Sequence, residues 1–482
     1  MGALQDIEIQ GLSADSRTVG RGFLFAALTG SRADGRAFID DAVARGAVAV
    51  LAPAGTTIET YDPPVRLITD ENPRRRLALL AARFHGPQPE VVAAVTGTSG
   101  KTSVASFLRQ IWTHAGRKAA SLGTLGLEPA RADAPSSLTT PDPVELHRCL
   151  SVLAKDGVDR LVMEASSHGL DQYRLDGVRV TAAAFTNLSR DHLDYHRDMT
   201  AYRDAKLRLF RELLSPGGTA VINVDDPVGH EIRAACAARG IEVLSYGTAE
   251  GDLRLLDRTA TAQGQRLRFE LRGRPVGVTL PVAGTFQAIN ALAALGLGLA
   301  TGVNEEVAVE ALSRLNGVPG RLEFIGHTPN GGTVYVDYAH KPAALEAVLQ
   351  ALRPHTRARL WVLFGAGGDR DPGKRPMMGA AAERLADRVV VTDDNPRSED
   401  PVAIRKAILA AAPDAEDIGD RGEAIASAMA ALGPGDVLVI AGKGHESGQI
   451  VGDRVLPFDD RDVARAALAD LGSNAGSQGT AK

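Results

Sequence analysis

The run Val91-Val92-Ala93-Ala94-Val95-Thr96-Gly97-Thr98-Ser99-Gly100-Lys101-Thr102 constrains this chain more than any other stretch. A short apolar segment gives way to a turn with two glycines, then Lys-Thr, then a helical period from Ser103. That order predicts a strand, a phosphate-cradling loop and a helix. Gly97 and Gly100 let the backbone turn tightly and aim N–H groups inward, and the following helix adds the positive end of its dipole. Gly97, Thr98, Ser99, Gly100, Lys101, Thr102 and Ser103 are therefore the candidate ATP-binding loop. Lys101 supplies a point charge for phosphate oxygens and the Thr102 hydroxyl a ligand for Mg²⁺. The general phosphate-loop pattern has a glycine five residues before Gly100. Val95 stands there, so the match is to a shorter form, T-G-T-x-G-K-T.

Domain organisation follows from length and punctuation. At roughly 150 residues per domain, the 482 residues suggest three α/β domains. Residues 1–88 read as a small α/β unit, with a strand at 23–27, a helix-like 36–45 and a strand at 47–52. The breakers Gly86-Pro87-Gln88-Pro89 close it. From 89 to 320, strands (91–96, 158–164, 180–186, 219–223) alternate with helices (103–115, 143–155, 200–214, 286–300). This predicts a central, mostly parallel sheet. The turn cluster 317–323 is a candidate hinge. Beyond it, 321–482 reads as a second alternating, Rossmann-like unit, with strands at 333–338, 359–364, 388–392 and 436–441 and helices at 342–352, 375–386, 401–412 and 422–431. The Gly/Ser-rich tail from about 472 has a composition that frays.

Composition narrows the class. With 44% hydrophobic and 23% charged residues and a net charge of −5, the chain reads as globular. Its basic residues are scattered, which argues against nucleic acid as a partner. Cys149 and Cys236 lack metal or redox spacing, which suits a reducing compartment. There is no signal-peptide pattern and no apolar run long enough for membrane insertion. The expectation is a cytoplasmic protein that acts on small molecules as a monomer.

Polar clusters collect at the carboxyl ends of the expected strands, where α/β folds bind ligands. Asp15-Ser16-Arg17 and Gly30-Ser31-Arg32-Ala33-Asp34-Gly35 could hold a polar head group or be plain solvated turns. Thr139-Thr140-Pro141-Asp142 could cap the next helix. Glu164 closes an apolar strand and is followed by Ala165-Ser166-Ser167-His168. A carboxylate there is placed to hold Mg²⁺. Asn187–His196 ends the next strand, and its His192-x-x-x-His196 spacing lacks a third zinc ligand. His192 is read instead as a helper to a catalytic divalent ion. Lys206, on a helical period, reads on its own as a solvated lysine. Four further clusters follow: Asp337-Tyr338-Ala339-His340, Gly365–Asp371, Thr392–Arg397 and Gly442-Lys443-Gly444-His445-Glu446.

The ordered set resembles the Mur ligases, ATP-dependent amide-bond-forming enzymes of peptidoglycan precursor synthesis related to folylpolyglutamate synthase. It comprises the Asp-Ser-Arg turn, T-G-T-x-G-K-T, T-T-P, M-E-x-S-S-H, D-H-L-D-Y-H, the A-K-x-x-L-F helix, G-R-x-E, D-Y-A-H, G-G-D-R-D-x-G-K-R, D-N-P-R and G-K-G-H-E. Asp394-Asn395-Pro396-Arg397 is similar to the signature of members that add meso-2,6-diaminopimelate to UDP-N-acetylmuramoyl-L-alanyl-D-glutamate. The route implied runs through acyl phosphate and tetrahedral intermediates. The resemblance places Ser16, Ser31, Arg32 and Ala33 by the uridine diphosphate, and Thr139, Thr140, Ser166, Gln172 and Arg174 on the muramoyl dipeptide. It implies Mg²⁺ on Thr102, Glu164, His192 and Lys206, the lysine carrying a carbamate derived from CO₂. Lys101, Lys206, Glu164 and His192 are then the catalytic set. Asn290, Arg321 and Asp337 fall to the nucleotide. Arg370, Asp394, Asn395, Pro396, Arg397, Gly442 and Glu446 fall to diaminopimelate. Rival readings are the same ligase adding L-lysine, a folylpolyglutamate synthase-like ligase, and a non-enzymatic nucleotide switch. The chain departs from common family residues at Leu138, Gln287 and Lys341.

Overall fold

The computed structural model describes residues 8–30, 33–131, 134–135, 138–261 and 264–479. Ser31 and Arg32, both expected near the uridine diphosphate, lie outside the described residues. The chain divides into two compact units, one holding residues 1–246 and 293–305 and the other 247–292 and 306–482.

The first unit contains two sheets. The smaller is built from β1 (Gly11–Ser13), β2 (Phe23–Ala26), β3 (Ala47–Pro53) and β4 (Arg66–Asp70), all parallel in sequence order. Helices α1 (Ile39–Ala44) and α2 (Pro73–His85) connect and follow these strands. Asn72 caps α2 by accepting from the Arg75 N–H, with Pro73 at the first turn.

The larger sheet of this unit is centred on β5 (Val91–Thr96). Around it lie α3 (Lys101–His114), β6 (Ala119–Gly123), β7 (Gly126–Glu128), α4 (Pro143–Lys155), β8 (Arg160–Glu164) and α5 (Ser167–Asp171). They are followed by β9 (Val180–Phe185), α6 (Met199–Arg208), β10 (Leu214–Asn223), α7 (Pro227–Ala238) and β11 (Glu242–Gly247). The strand order is β11-β10-β9-β5-β8-β6-β7. All neighbours are parallel except the edge hairpin β6–β7. The central strands read as nearly unbroken apolar runs because both faces are buried, as parallel sheets require. Leu146, Leu150, Leu161, Met163, Phe185, Phe210 and Ile222 fill one side. The helix expected over 200–214 ends its α-helical turns at Arg208. A wider turn, Leu209–Leu213, follows, and the strand expected from 219 begins at Leu214. Such widened turns cluster at functional sites.

The second unit opens with β12 (Leu253–Thr261), β13 (Gly264–Leu271) and β14 (Arg274–Leu280), an antiparallel meander inside a stretch expected to be parallel. Helix α8 (Thr285–Ala300) belongs to this unit up to Leu292 and to the first from Ala293, and α9 (Glu305–Leu312) lies in this unit from Glu306. The sheet proper comprises β15 (Glu323–His327), β16 (Thr333–Asp337), β17 (Leu360–Phe364), β18 (Arg388–Val391), β19 (Glu416–Asp417) and β20 (Val437–Ala441). Its order is β15-β16-β20-β17-β18-β19, parallel apart from β15. Helices α10 (Pro342–Leu352), α11 (Lys374–Leu385), α12 (Pro401–Leu409) and α13 (Arg421–Ala430) cover it, α10 at its expected limits and the others within three residues of theirs. A hairpin, β21 (Gly448–Val451) and β22 (Arg454–Pro457), precedes α14 (Asp460–Gly479). Helix α14 includes the stretch from 472 to Gly479, whose composition carries the expectation of fraying.

Candidate functional site

In the first unit the site grows from sheet register. Val95 pairs with Glu164 on β8, and Thr96 with Phe185 on β9. The loops after three adjoining parallel strands therefore leave the sheet on one edge. Thr96 Oγ1 donates to Ala165 O at 2.8 Å and ties two of them together. The third is tied by Thr98 N to Asn187 O (2.8 Å), Ser99 N to Asn187 Oδ1 (3.0 Å) and Thr186 Oγ1 to Ser99 O (2.6 Å). Gly97 has φ +146°, and a Cβ there would overlap Thr186 Oγ1, so this turn admits only glycine. Gly100, at φ +87°, leads into α3 at Lys101, so the inner N–H groups of α3's first turn face the loop.

Lys101 Nζ donates to Gly97 O and Thr98 O, both at 2.9 Å. Lys206 Nζ reaches the same Gly97 carbonyl at 2.8 Å. The surface lysine expected from the helical period is thus 1% exposed, lying over the Tyr202 ring at 4.4 Å. The reading fails because periodicity places Lys206 on a face and does not say what that face meets. Burial, and then the nearby Lys101 charge, hold the Lys206 ammonium well below the usual lysine range. Asp198 caps α6 through the Ala201 N–H at 2.8 Å and so sets where Tyr202 and Lys206 point. Tyr202 Oη stands 3.1 Å from Thr98 Oγ1.

Glu164 is 2% exposed. Its Oε1 accepts from Thr124 N at 2.8 Å and its Oε2 from Thr124 Oγ1 at 3.1 Å. Thr139 Oγ1 joins Thr124 Oγ1 at 3.2 Å, and Thr140 Oγ1 donates to Glu164 O at 2.8 Å. Ser166 caps α5 through Gly169 N (3.0 Å), and its own N–H donates to Thr140 Oγ1 (3.0 Å). Arg174 donates to Thr140 O at 2.7 Å and to Gln172 Oε1 at 2.7 Å. Thr139, Thr140, Ser166, Gln172 and Arg174 therefore form one hydrogen-bonded group beside Glu164. Asp142 caps α4, as its position before Pro143 predicts.

His192 adopts φ +53° and packs edge-on against His168 at 5.0 Å and Tyr202 at 6.0 Å. Among the described residues, no group of three or more His, Cys, Asp or Glu side chains forms a metal cluster. A divalent ion here would take oxygens of Glu164 and Thr102 and complete its shell from substrate. These hard-oxygen donors fit Mg²⁺; a plain Lys206 ammonium does not. On the smaller sheet Ser16 is buried, while Ala33 is exposed and its carbonyl accepts from Gly30 N at 2.9 Å.

In the second unit Asp337 pairs with Ala441, so the loops after β16 and β20 also leave on one edge. Asp337 is buried and accepts from Leu322 N (2.7 Å) and Ala339 N (2.8 Å). Burial pushes its carboxyl up to about 6. The Arg321 guanidinium lies over the Tyr338 ring at 4.7 Å. Asn290 donates to Gln287 Oε1 (3.1 Å), and Gln287 donates to Arg321 O (3.1 Å). Gln287, where the family often differs, thus anchors the loop that carries Arg321. Burial holds His340 near 4 and keeps it neutral at pH 7.

The expected diaminopimelate residues fall at the ends of β17, β18 and β20. Asp394 and Asn395 are buried, and Asn395 Nδ2 donates to Glu446 Oε2 at 2.9 Å. Arg397 is half-buried with Nη1 on Gly368 O at 2.8 Å, whereas Arg370 is exposed. Both arginines sit in the loops that follow β17 and β18. Asp369, Asn395 and Arg397 all have φ between +44° and +53°, a concentration of strained backbone in one site. Sequence reasoning missed Thr124, Tyr202 and Lys443 as site residues. Thr124 lies in the tight turn that joins β6 to β7, and a threonine in such a turn carries no signal of function. The one signal for Lys443 is its place between two glycines after a buried strand.

Comparisons with known proteins agree with this geometry. Residues 8–85 match the family model "Mur ligase family, catalytic domain", 95–298 "Mur ligase middle domain" and 320–444 "Mur ligase, glutamate ligase domain". The chain is 54% identical over 470 residues to a UDP-N-acetylmuramoyl-L-alanyl-D-glutamate–2,6-diaminopimelate ligase of Brucella melitensis, covering 97% of this chain and 96% of the relative. It is 54% identical over 475 residues to the ligase of that name from Bradyrhizobium diazoefficiens, at 97% and 96% coverage. A solved structure of a ligase with that name superposes with a TM-score of 0.71 at 34% identity, covering 96% of this chain and 95% of that one.

Proposed function

Because the chain belongs to the Mur ligase family, we propose that it joins meso-2,6-diaminopimelate to UDP-N-acetylmuramoyl-L-alanyl-D-glutamate at the expense of ATP, in the cytoplasm and as a monomer. The end-to-end similarity to ligases of that name carries the choice of substrates. The loop Gly97–Thr102, with Lys101, Glu164 and Lys206 around it, supports the chemistry. The reading retains three domains, 1–88 for the uridine diphosphate, 89–320 for ATP and 321–482 for the amino acid. Among the described residues no helix is long and apolar enough to cross a membrane.

An amide forms from a carboxylate only after activation. The acceptor carboxylate oxygen attacks the γ-phosphorus, the bond to ADP breaks, and an acyl phosphate results. The amine nitrogen then attacks the acyl carbon, the tetrahedral intermediate expels phosphate, and the nitrogen loses a proton. The protein contributes position and charge. The loop N–H groups and Lys101 hold the phosphates, while Thr140, Ser166 and Arg174 hold the acceptor. Glu164 and Thr102 would hold Mg²⁺, which would supply counter-charge for the phosphates.

Lys206 is read as carbamylated. Two ammonium groups on one carbonyl repel, and burial disfavours the Lys206 charge, so Lys206 is predisposed to lose its proton. The neutral Nζ attacks the carbon of CO₂, an N–C bond forms, a proton leaves, and the buried cation becomes an anion with two oxygens suited to a hard ion.

A coupled ADP-release assay with each component omitted in turn tests the reading. ADP should appear only with dipeptide and meso-diaminopimelate both present. Nucleotide binding without substrate-dependent turnover, or a preference for L-lysine or a pteridine, would overturn it.

A further inference from the structure

Lys443 is given no role in binding or catalysis above, yet its side chain is fully buried. A buried ammonium is retained only where acceptors replace its water. Here Nζ donates to Asn395 Oδ1 at 3.1 Å and Gln449 Oε1 at 3.0 Å, with Asp394 Oδ1 at 3.5 Å and Glu446 Oε2 at 3.7 Å. Arg421, another buried cation nearby, is hydrogen-bonded to Asp460, with Nε and Nη2 donating at 2.7 Å each, and to Ala441 O, and its charge also attracts Asp394 and Glu446 from outside hydrogen-bond contact.

The contacts of Asn395 fix its amide. Oδ1 accepts from both Lys443 Nζ and Ile450 N (2.9 Å), which leaves Nδ2 for Glu446 Oε2 at 2.9 Å. A flipped amide would set its NH₂ against an ammonium and an N–H. Asn395 also sits at φ +44°, in the left-handed region that asparagine adopts more readily than most residues. Asp394 Oδ1 has no hydrogen-bond donor among the described residues, although it is buried. Gly442 makes that approach possible, since a Cβ there would stand 2.6 Å from Asp394 Oδ2.

We propose that Lys443 is a positioning residue for the amino-acid substrate: it locks the Asn395 amide, which holds Glu446, and it supplies the counter-charge that keeps Asp394 and Glu446 together as an acidic pair ready for a substrate ammonium. Lys443 acts through its neighbours and does not touch substrate. The inference rests on the reading of this edge as the diaminopimelate site.

The test is steady-state kinetics on the full chain with Lys443→Met, Lys443→Gln, Asn395→Asp and the double variant Lys443→Met/Asn395→Asp. Lys443→Met matches the volume and removes the charge and donors. It should raise KM for meso-diaminopimelate at least about tenfold, while KM for ATP and for the dipeptide stays within about twofold. Lys443→Gln restores a donor to Asn395 Oδ1 and should recover part of that loss. Asn395→Asp sets a carboxylate oxygen against Glu446 and should produce the same KM defect. The double variant should be no worse than the poorer single variant, because both break one network. Equal losses in kcat with KM unmoved, or fully multiplicative effects of the two substitutions, would overturn the proposal. Should Lys443→Met fail to fold, Lys443→Gln still decides it, since a purely structural lysine predicts a normal KM for meso-diaminopimelate in that folded variant. Failure of the unsubstituted protein to turn over meso-diaminopimelate would instead reject the functional reading.

Discussion

Gly123→Ala is the sharpest probe of the phosphoryl-transfer edge. Gly123 ends β6, and a Cβ built on it would lie 2.6 Å from Glu164 Cδ and Cγ and closer still to Oε1. Carbon atoms pack comfortably at about 3.5 Å, so the carboxylate must retreat by roughly 0.9 Å. That retreat breaks its contacts with Thr124 N (2.8 Å) and Thr124 Oγ1 (3.1 Å). The group that moves is the end of a flexible side chain, so the fold pays little. Hydrogen bonds to a charged group are worth about 1.5–3 kcal/mol, partly recovered by relaxation. A loss of about 2 kcal/mol lowers Tm by roughly 4–8 °C. Catalysis is far less forgiving, since a 1 Å misplacement costs about 10²-fold in rate, or roughly 2.7 kcal/mol. Gly472→Ala, whose Cβ meets open space, is the control. The assay pairs ADP release with a thermal melt. Gly123→Ala should lose about 10²-fold in kcat with most of its Tm kept, and the control should be unchanged. A variant that keeps a third of its kcat, or loses activity only by unfolding, refutes the reasoning.

Other outcomes follow from the same geometry. Lys206→Ala should lose at least about 10²-fold in rate and regain part of it with small carboxylates, and isotopically labelled bicarbonate should give a carbamate signal absent from the variant; full activity in Lys206→Ala would end that assignment. Arg397→Lys should raise KM for meso-diaminopimelate and narrow its advantage over L-lysine, an advantage that reaches about 10⁴-fold in sites built around paired polar groups. His147 gives a pH signature: burial holds it near 4, with its Nε2 at 2.9 Å from Asp176 O. Its folded pKa is depressed below the unfolded value of about 6.5, so the unfolded chain takes the proton first and stability falls as pH drops from about 6.5 towards 4. His147→Gln should flatten that decline in urea midpoints by up to about 3 kcal/mol at pH 4, and an unchanged slope would mean that His147 does not carry it.

Local pattern was a good guide where one local force dominates. The strand, loop and helix at 91–114 and helices α4 and α10 lie within one or two residues of expectation, because buried apolar runs and Pro- or Asp-marked starts are local signals. It failed where partners decide. The meander β12–β14 lies within a segment read as parallel, since sheet direction depends on which strands meet. The helix expected to 214 stops at Arg208, where the chain turns into β10.

The candidate site divides in the same way. The sequence alone determined the phosphate loop, the carboxylate ending β8 and the ordered set of polar strand ends, because glycine, hydroxyl and charge needs are written residue by residue. Only the tertiary structure decided that Lys206 is buried on the Gly97 carbonyl beside Lys101, that Thr124 fixes Glu164, and that Lys443 sits beneath Asn395. Those facts arise from side chains up to about a hundred residues apart meeting out of water, where an unpaired charge is costly and a paired one is held in place.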